Sequence, residues 1–451
     1  MPRVADVLAD GLSRAGATRA FVAPGAPPVL VEAVARRGLA TIEAPDGAAA
    51  CVLAAVTGEL TDAPGVAIAA LAEAAALSPG LALAARDRAP LILLTDTHAD
   101  LALLGPVVKT SLVVEVADAG HWIAHAGNLA LTEPRGPVHV ACAAALASAS
   151  ALPVATACRP APLPAPDAPS LEALGAALTV TRPLIVTGRE CGGDDAGWVR
   201  AFAETLPAPV LATPKGRGTL PEPHPLALGM LGAGHPLLAP TDLALLVGVD
   251  ASELPPGALP PALPLARIAR APWPDGAPRL VADVVGDIAL VIEELAPRVK
   301  ARPAADWDVA ALDRVKRALS ADALAAPAAR LVRVAREATP AGTVATADVP
   351  LGLAWQAVAP RETLTPLGGH APAGYAILAA VAAQLVDRER RVVAFTTPLG
   401  LAAGGDGLAL ATALALPIVV VVLGAAAPDE AAFARDFARA FASDGPTVVG
   451  G

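Results

Sequence analysis

Residues 390–427 read RRVVAFTTPLGLAAGGDGLALATALALPIVVVVLGAAA and decide the fold that we predict. Residues 392–395 are a short run rich in β-branched side chains, residues 407–416 are good helix formers, and residues 418–423 are continuously apolar. A continuously apolar strand is typical of a parallel sheet that is covered on both faces. Pro417 separates the helix from the second strand. The stretch therefore predicts a strand, a helix and a buried strand, which is an α/β pattern.

The same alternation fills the rest of the chain. Strand-like runs alternate with amphipathic or apolar helical segments, which predicts parallel sheets with helices on both faces. A Pro- and Ala-rich segment at residues 159–169 reads as a semi-rigid linker, and a second linker is predicted around residues 300–303. We therefore predict an α/β protein of three doubly wound domains with mainly parallel sheets, at residues 1–153, 170–299 and 304–451.

Composition excludes several function classes. A net charge of −10 and a pI near 5.2 argue against a nucleic-acid partner, which calls for basic patches. Hydrophobic residues make up 55% of the chain, yet Glu73 and Pro79 interrupt residues 66–85, and Pro417 interrupts residues 407–427. The first residues lack the apolar core of a signal peptide. We expect a cytoplasmic protein without a membrane partner.

The cysteines and two of the histidines show no metal-binding spacing. The cysteines are far apart and form no C-x-x-C motif, so we predict reduced, buried thiols rather than a zinc site or a disulfide framework; they are Cys51, Cys142, Cys158 and Cys191. His224 and His235 are isolated, and we expect ordinary surface or loop histidines.

Several stretches resemble the thiamine diphosphate (ThDP) enzymes of the acetolactate synthase and 2-oxo acid decarboxylase type. They are RAFVAPGAPPVLVEAVARRG at residues 19–38, APVLATPKGRGTLPEPHPLALGMLGAGH at 208–235, LTPLGGHAPAGYAILAAVAAQL at 364–385, and the opening stretch. The resemblance covers essentially the full length. It implies a pyrimidine-binding-like domain, a central Rossmann-like domain and a truncated diphosphate-binding-like domain, in a degenerate and shortened member of the family.

The metal ligands that the resemblance implies are replaced. The family's Gly-Asp-Gly falls on residues 397–399, Thr-Pro-Leu, and its Asn-Asn falls on Gly424 and Ala425. A Mg²⁺ ion that bridges a diphosphate needs hard oxygen ligands, which Pro and Ala side chains lack. A literal Gly-Asp-Gly occurs at residues 405–407, so Asp406 is a weak candidate metal ligand. The alternative, which we favour, is that Asp406 is a helix N-cap.

The acid that activates the cofactor is also altered. In the family a glutamate hydrogen-bonds the aminopyrimidine and promotes loss of the thiazolium proton, and its setting falls here on residues 45–50, Pro-Asp-Gly-Ala-Ala-Ala. Asp46 is a weak candidate for that role, because its side chain is one methylene shorter. The alternative, which we favour, is that Asp46 caps the helix that begins at Gly47. The bulky residue that props the cofactor falls on Ala373.

The central domain offers a weak nucleotide-binding candidate. Some relatives hold FAD or an ADP moiety there, and Lys215, Gly216 and Arg217 could meet a phosphate through charge and backbone amides. The alternative is a plain loop.

These observations lead us to expect a ThDP-enzyme-like pseudoenzyme that has lost Mg-ThDP binding and catalysis and has a binding, regulatory or assembly role. We expect no cofactor, with ThDP and Mg²⁺ or FAD/ADP as alternatives. Two other functions stay open: a decarboxylase or carboligase acting on a 2-oxo acid, and a nucleotide sensor.

We also expect a homodimer or homotetramer, with a small-molecule ligand possible. The apolar segments at residues 48–55 and 376–386 would otherwise expose large patches.

Overall fold

Three parallel β-sheets covered by helices make up the computed structural model. It describes residues 1–71, 74–96, 101–300, 306–369, 371–424 and 429–450. The predicted fold class, three doubly wound domains with mainly parallel sheets, is confirmed.

The first sheet has six strands in the order β2-β1-β3-β4-β6-β5. They are β1 (Arg19–Val22), β2 (Ala40–Glu43), β3 (Gly65–Ala69), β4 (Leu91–Thr95), β5 (Ser111–Val113) and β6 (Pro137–Ala141). The helices of this region are α1 (Val4–Arg14), α2 (Pro28–Arg36), α3 (Gly47–Thr61), α4 (Ala74–Arg86), α5 (Leu101–Leu104), α6 (Ala119–Leu131) and α7 (Ala144–Ala147).

The second sheet has six strands in the order β12-β11-β10-β7-β8-β9. They are β7 (Pro183–Thr187), β8 (Val210–Ala212), β9 (Ala227–Met230), β10 (Leu243–Val247), β11 (Leu265–Ala269) and β12 (Leu280–Val285), with α8 (Ala168–Ala177), α9 (Asp195–Thr205) and α10 (Ile288–Lys300). The chain runs outward from β7 through β8 to β9, and then returns to the other side of β7 with β10. The strand order therefore reverses between β7 and β10, which in a doubly wound sheet is the usual place for a ligand.

The third sheet has five strands in the order β14-β13-β15-β16-β17. They are β13 (Val344–Ala347), β14 (Thr363–Leu364), β15 (Val392–Thr396), β16 (Ile418–Val422) and β17 (Thr447–Gly450). The remaining helices are α11 (Val309–Ala323), α12 (Pro327–Glu337), α13 (Tyr375–Val386), α14 (Pro398–Ala403), α15 (Gly405–Ala413) and α16 (Glu430–Phe441).

By internal contacts the chain divides into two compact units. One contains Met1–Ala161, His370–Val420 and Ser443–Val448, and the other contains Pro162–Gly369, Val421–Ala442 and Val449–Gly451. The residue bounds that the sequence suggested for three domains stay predictions. In the part of the chain that the structure describes, no helix is both long and apolar enough to cross a membrane.

Small residues let the helices of the first unit pack at close range. A Cβ atom on Gly80 of α4 would lie 2.5 Å from the carbonyl oxygen of Ala48 in α3, and one on Gly65 of β3 would lie 1.8 Å from the carbonyl oxygen of Ala54. Both contacts are too short for any side chain, so glycine is required at both positions. The backbone of α3 therefore contacts both neighbours directly.

The apolar segments behind the oligomer prediction are buried inside one chain. Helices α3 and α13 are apolar on almost all sides and pack against each other within the first unit. The premise that residues 48–55 and 376–386 would expose large apolar patches is therefore wrong. The sequence could not show this, because the two helices are far apart in the chain.

Candidate functional site

Asp46 lies at the turn between β2 and α3. Its backbone is extended, with φ −154° and ψ −178°, and its Oδ1 accepts a hydrogen bond from the backbone N–H of Ala49 at 2.7 Å. The predicted helix cap is confirmed. The side chain is exposed. At the position that corresponds to the family's activating acid, this carboxylate therefore satisfies a backbone donor of its own helix.

The thiols are placed for packing rather than for reaction. All four cysteines are free and buried, as predicted. Burial, with a smaller contribution from the charge of Asp46, raises the pKa of Cys51 to about 12, and burial raises the pKa of Cys142 to about 11. Neither thiol is a thiolate at neutral pH, so neither is a nucleophile there.

Beyond β15 the chain forms a short helix that our sequence analysis missed. The side-chain oxygen of Thr397 accepts a hydrogen bond from the backbone N–H of Gly400 at 3.1 Å and caps α14. Pro398 occupies the first position of the helix, and Leu399 is 77% exposed. A Thr followed by Pro is a helix-start signal that could have revealed this element. Residues 397–399 thus open a helix where the family has Gly-Asp-Gly.

The prediction that Asp406 is an N-cap is wrong. Helix α15 begins at Gly405 with Gly404 as its N-cap, so Asp406 already lies in the first helical turn, and its side chain makes no capping hydrogen bond. The physical reason is that α14 runs into α15 through Gly404 alone, which starts the second helix two residues earlier than predicted. The exposed carboxylate of Asp406 is still favourable there, because it faces the positive end of the helix dipole.

The junction of α14 and α15 and the start of α13 approach each other so closely that backbone fills the space between them. Gly374 has a φ of +80°, and a Cβ atom there would lie 2.7 Å from the Cα of Gly404. The turn before α13 therefore contacts the α14–α15 junction directly. Ala373, at the position of the residue that props the cofactor, is exposed.

The described residues do not fit a magnesium site of the family type. Among them no three His, Cys, Asp or Glu side chains are grouped so that they could hold a metal ion. Pro398 supplies no side-chain oxygen, and Thr397 uses its own as a cap. Gly424 is exposed, and Ala425 lies outside the described residues.

The loop at residues 215–217 is built into the fold of the second unit. The guanidinium of Arg217 is buried and donates to both carboxylate oxygens of Glu222, at 2.7 and 2.9 Å, and to the backbone oxygen of Trp355. A Cβ atom on Gly216 would lie 2.1 Å from the carbonyl oxygen of Thr187. Lys215 is also buried. These contacts favour the plain-loop interpretation, because the charge of Arg217 is already compensated.

The two histidines have ordinary partners. His224 contacts the carboxylate of Glu204 at 3.1 Å, and Nε2 of His235 lies 3.2 Å from the carbonyl oxygen of Leu228. His235 is buried rather than on the surface, and burial lowers its pKa.

A buried acid that sequence reasoning missed lies at the carboxyl ends of β7, β8 and β10. Glu253 is 3% exposed and accepts from the hydroxyl of Thr213 at 2.5 Å and from the backbone N–H groups of Arg189 and Asp250 at 3.0 Å each. Burial raises the pKa of Glu253 to about 7, although these donors act in the opposite direction. The sequence Asp-Ala-Ser-Glu at residues 250–253 is a capping-box signal, but it does not reveal the partners from the other two strands.

Comparison with known proteins places the chain in a family. Residues 2–102 match the model "Thiamine pyrophosphate enzyme, N-terminal TPP binding domain", and residues 172–295 match "Thiamine pyrophosphate enzyme, central domain". Thiamine pyrophosphate is another name for ThDP. By these two domains, the chain belongs to the ThDP enzymes.

This ThDP-family chain has relatives among the acetolactate synthases. It is 28% identical over 218 residues to acetolactate synthase isozyme 1 large subunit of Escherichia coli. The matched region covers 44% of this chain and 38% of that protein. It is 32% identical over 165 residues to a candidate acetolactate synthase large subunit, IlvB2, of Mycobacterium tuberculosis, with 32% and 29% of the two chains covered. The chain thus spans less than half of each of these relatives.

A solved structure shares the fold. A candidate thiamin diphosphate-dependent enzyme from Mycobacterium smegmatis superposes with a TM-score of 0.79 at 22% sequence identity, over 100% of this chain and 99% of that one.

The expectation that no cofactor is involved is wrong at the level of the family. The two matched domains and the acetolactate synthase relatives point to ThDP as the cofactor. The expectation rests on the replaced motifs in residues 397–399 and 424–425. Those replacements concern the metal ligands, whereas the matched domains point to the organic cofactor.

Our first prediction concerns the cap. Asp46→Ala should lower the free energy of unfolding by about 0.5–2 kcal/mol, because the N–H of Ala49 loses its acceptor, whereas Asp46→Asn should be nearly neutral. Urea unfolding measures both changes. Asp275→Ala, which removes an exposed acid from a loop, is the control and should leave stability unchanged. Equal stability of Asp46→Ala and the parent would contradict the capping role.

Proposed function

We propose that this chain is a catalytically inactive member of the ThDP-enzyme family, a pseudoenzyme with a binding, regulatory or assembly role. The observation that carries the proposal is the hydrogen bond from the N–H of Ala49 to the Asp46 carboxylate. The acid at the activating position is shorter than the family's glutamate and already has a backbone partner. A displacement of about 1 Å, roughly the reach of the missing methylene, can cost on the order of 10²-fold in rate, so the shorter side chain weakens proton transfer.

The diphosphate side supports the same proposal. Thr397, Pro398 and Leu399 build the start of α14 instead of presenting a metal ligand, and the described residues contain no acidic cluster that could replace it. Both chemical requirements of the family, an activating acid and a hard metal site, are therefore weakened. ThDP remains the ligand to which the family points, so the test of function begins with it.

One alternative has specific support. The acetolactate synthase relatives favour a decarboxylase or carboligase that acts on a 2-oxo acid. In that case Asp46 would be the activating acid and Asp406 a displaced metal ligand, and both carboxylates are exposed. The two functions differ in one measurable property, which is ThDP-dependent turnover.

The second prediction is that the chain has no such turnover. With ThDP, Mg²⁺ and pyruvate as the simplest 2-oxo acid, the release of CO₂ should equal that of the Asp46→Asn variant, because the carboxylate has no catalytic role. Calorimetry in the same buffer measures ThDP binding with and without Mg²⁺, and Mg²⁺ should not change the affinity. CO₂ release that requires Mg²⁺ and is lost in both Asp46→Asn and Asp406→Ala would establish the alternative instead.

The third prediction is a homodimer or homotetramer. It is proposed from the family relationship alone, because the apolar segments at residues 48–55 and 376–386 are largely buried inside one chain. Light scattering at micromolar concentration should give two or four times the mass of one 44.7 kDa chain. A mass of one chain would contradict it. The cytoplasmic location also stays a prediction.

A further inference from the structure

The second sheet has its strand-order reversal between β7 and β10, and the segments that follow these two strands meet there. Thr187 ends β7 and Val247 ends β10, and the two strands are paired along their whole length. In doubly wound proteins the crevice at such a reversal binds ligands, often anionic ones, through backbone N–H groups.

The carboxylate of Glu253 occupies it. Three donors converge on this one group: the hydroxyl of Thr213, the N–H of Arg189 and the N–H of Asp250. The N–H of Arg189 lies within hydrogen-bonding distance of both carboxylate oxygens, at 3.1 and 3.0 Å. These donors follow β8, β7 and β10 respectively, so one carboxylate joins the ends of three strands.

A local cap explains only part of this arrangement. Residues Ala251–Glu253 form a single 3-10 turn whose capping box accounts for the bond from the N–H of Asp250. The bonds from Arg189 and Thr213 come from positions 64 and 40 residues away. A capping role does not require them. The donors beyond the turn indicate an oxyanion-binding arrangement that the chain fills itself.

Glycine makes room for the carboxylate. A Cβ atom on Gly188 would lie 2.6 Å from Oε2 of Glu253 and 2.4 Å from the carbonyl oxygen of Gly248. Gly188 directly follows β7, where the first βα turn of such folds usually carries the glycine that lets a ligand approach the backbone. Here the approaching group is a side chain of the same protein.

The neighbouring charges are already engaged. Arg270, which follows β11, contacts the carboxylates of Asp195 and Asp287, and its backbone N–H donates to Glu190. Arg189 lies close enough to lower the pKa of Glu253, but burial outweighs it. Glu253 is thus held mainly by uncharged hydroxyl and N–H donors, which also bind small carboxylates and phosphates in other proteins.

We propose that Glu253 is an internal ligand that occupies the oxyanion-binding position of the central domain, and that a small external carboxylate can take this position once the side chain is removed. The proposal goes beyond the proposed function, because it concerns the second sheet and does not depend on ThDP. The three donors at this position already have an acceptor within the chain.

The test is rescue of a truncated variant by formate, which matches the carboxylate that Glu253→Ala removes. Glu253→Ala should melt at a lower temperature than the parent, because buried donors lose their acceptor. Sodium formate, compared with sodium chloride at equal ionic strength, should raise its Tm in a saturable manner by at least about 2 °C. The control is Val249→Ala, which truncates a fully buried side chain on the same segment without removing an acceptor. It should respond to formate no more than the parent does.

Three results with these variants would contradict the proposal. An equal response of Glu253→Ala and Val249→Ala to formate would overturn it. If Glu253→Ala does not fold in chloride, formate during refolding should restore the folded yield, and failure to do so would also overturn it. Glu253→Gln retains the shape of the side chain, so it should fold and its Tm should not rise with formate. A rise in Tm equal to that of Glu253→Ala would contradict the proposal that the side chain fills the oxyanion-binding position.

Discussion

The structure requires a hydrogen-bond acceptor for each backbone N–H group that follows the carboxyl end of a parallel strand and is shielded from water. A buried or partly buried donor without an acceptor costs about 1–3 kcal/mol, so each such position needs a partner from a side chain, a ligand or water. In this chain side chains supply acceptors at three of these positions: Asp46 after β2, Thr397 after β15 and Glu253 after β10. These three side-chain oxygens therefore stabilise the protein's own backbone.

The fold of the family can persist whatever side chains stand at its site positions. The scaffold is held by close packing, as in the contacts of Gly65 and Gly80 with the backbone of α3, and packing does not depend on the identity of exposed site residues. The fold alone therefore does not establish the activity. Residues 397–399, where the resemblance places the family's Gly-Asp-Gly, form a helix start in this chain, and the strand before them, β15, is buried and paired.

The parts of the fold that depend on local sequence could be predicted. Continuous apolar runs such as residues 418–422 identify buried parallel strands, and Pro-Asp-Gly at residues 45–47 identifies the cap of α3. The start of α14 was missed although Thr-Pro signalled it, and Asp406 was misplaced because the two helices join through Gly404 alone. The first error is a whole short helix, and the second concerns the end of an element, where the sequence signal is weakest.

Other features could not be predicted because they depend on residues distant in the chain. Glu253 lies 64 and 40 residues from two of its donors, so its sequence neighbours show only the local cap. The burial of residues 48–55 follows from the packing of α3 against α13, which no local pattern reveals.

The central claim is that the carboxylate of Asp46, at the activating position, binds the backbone and not a cofactor. The most direct measurement is the rate at which the thiazolium C2 proton of added ThDP exchanges with D₂O, followed by NMR in the presence of Mg²⁺ and the protein at a concentration comparable to that of ThDP. We predict the rate of free ThDP for the parent chain and for Asp46→Asn alike. Accelerated exchange in the parent that Asp46→Asn abolishes would contradict the account.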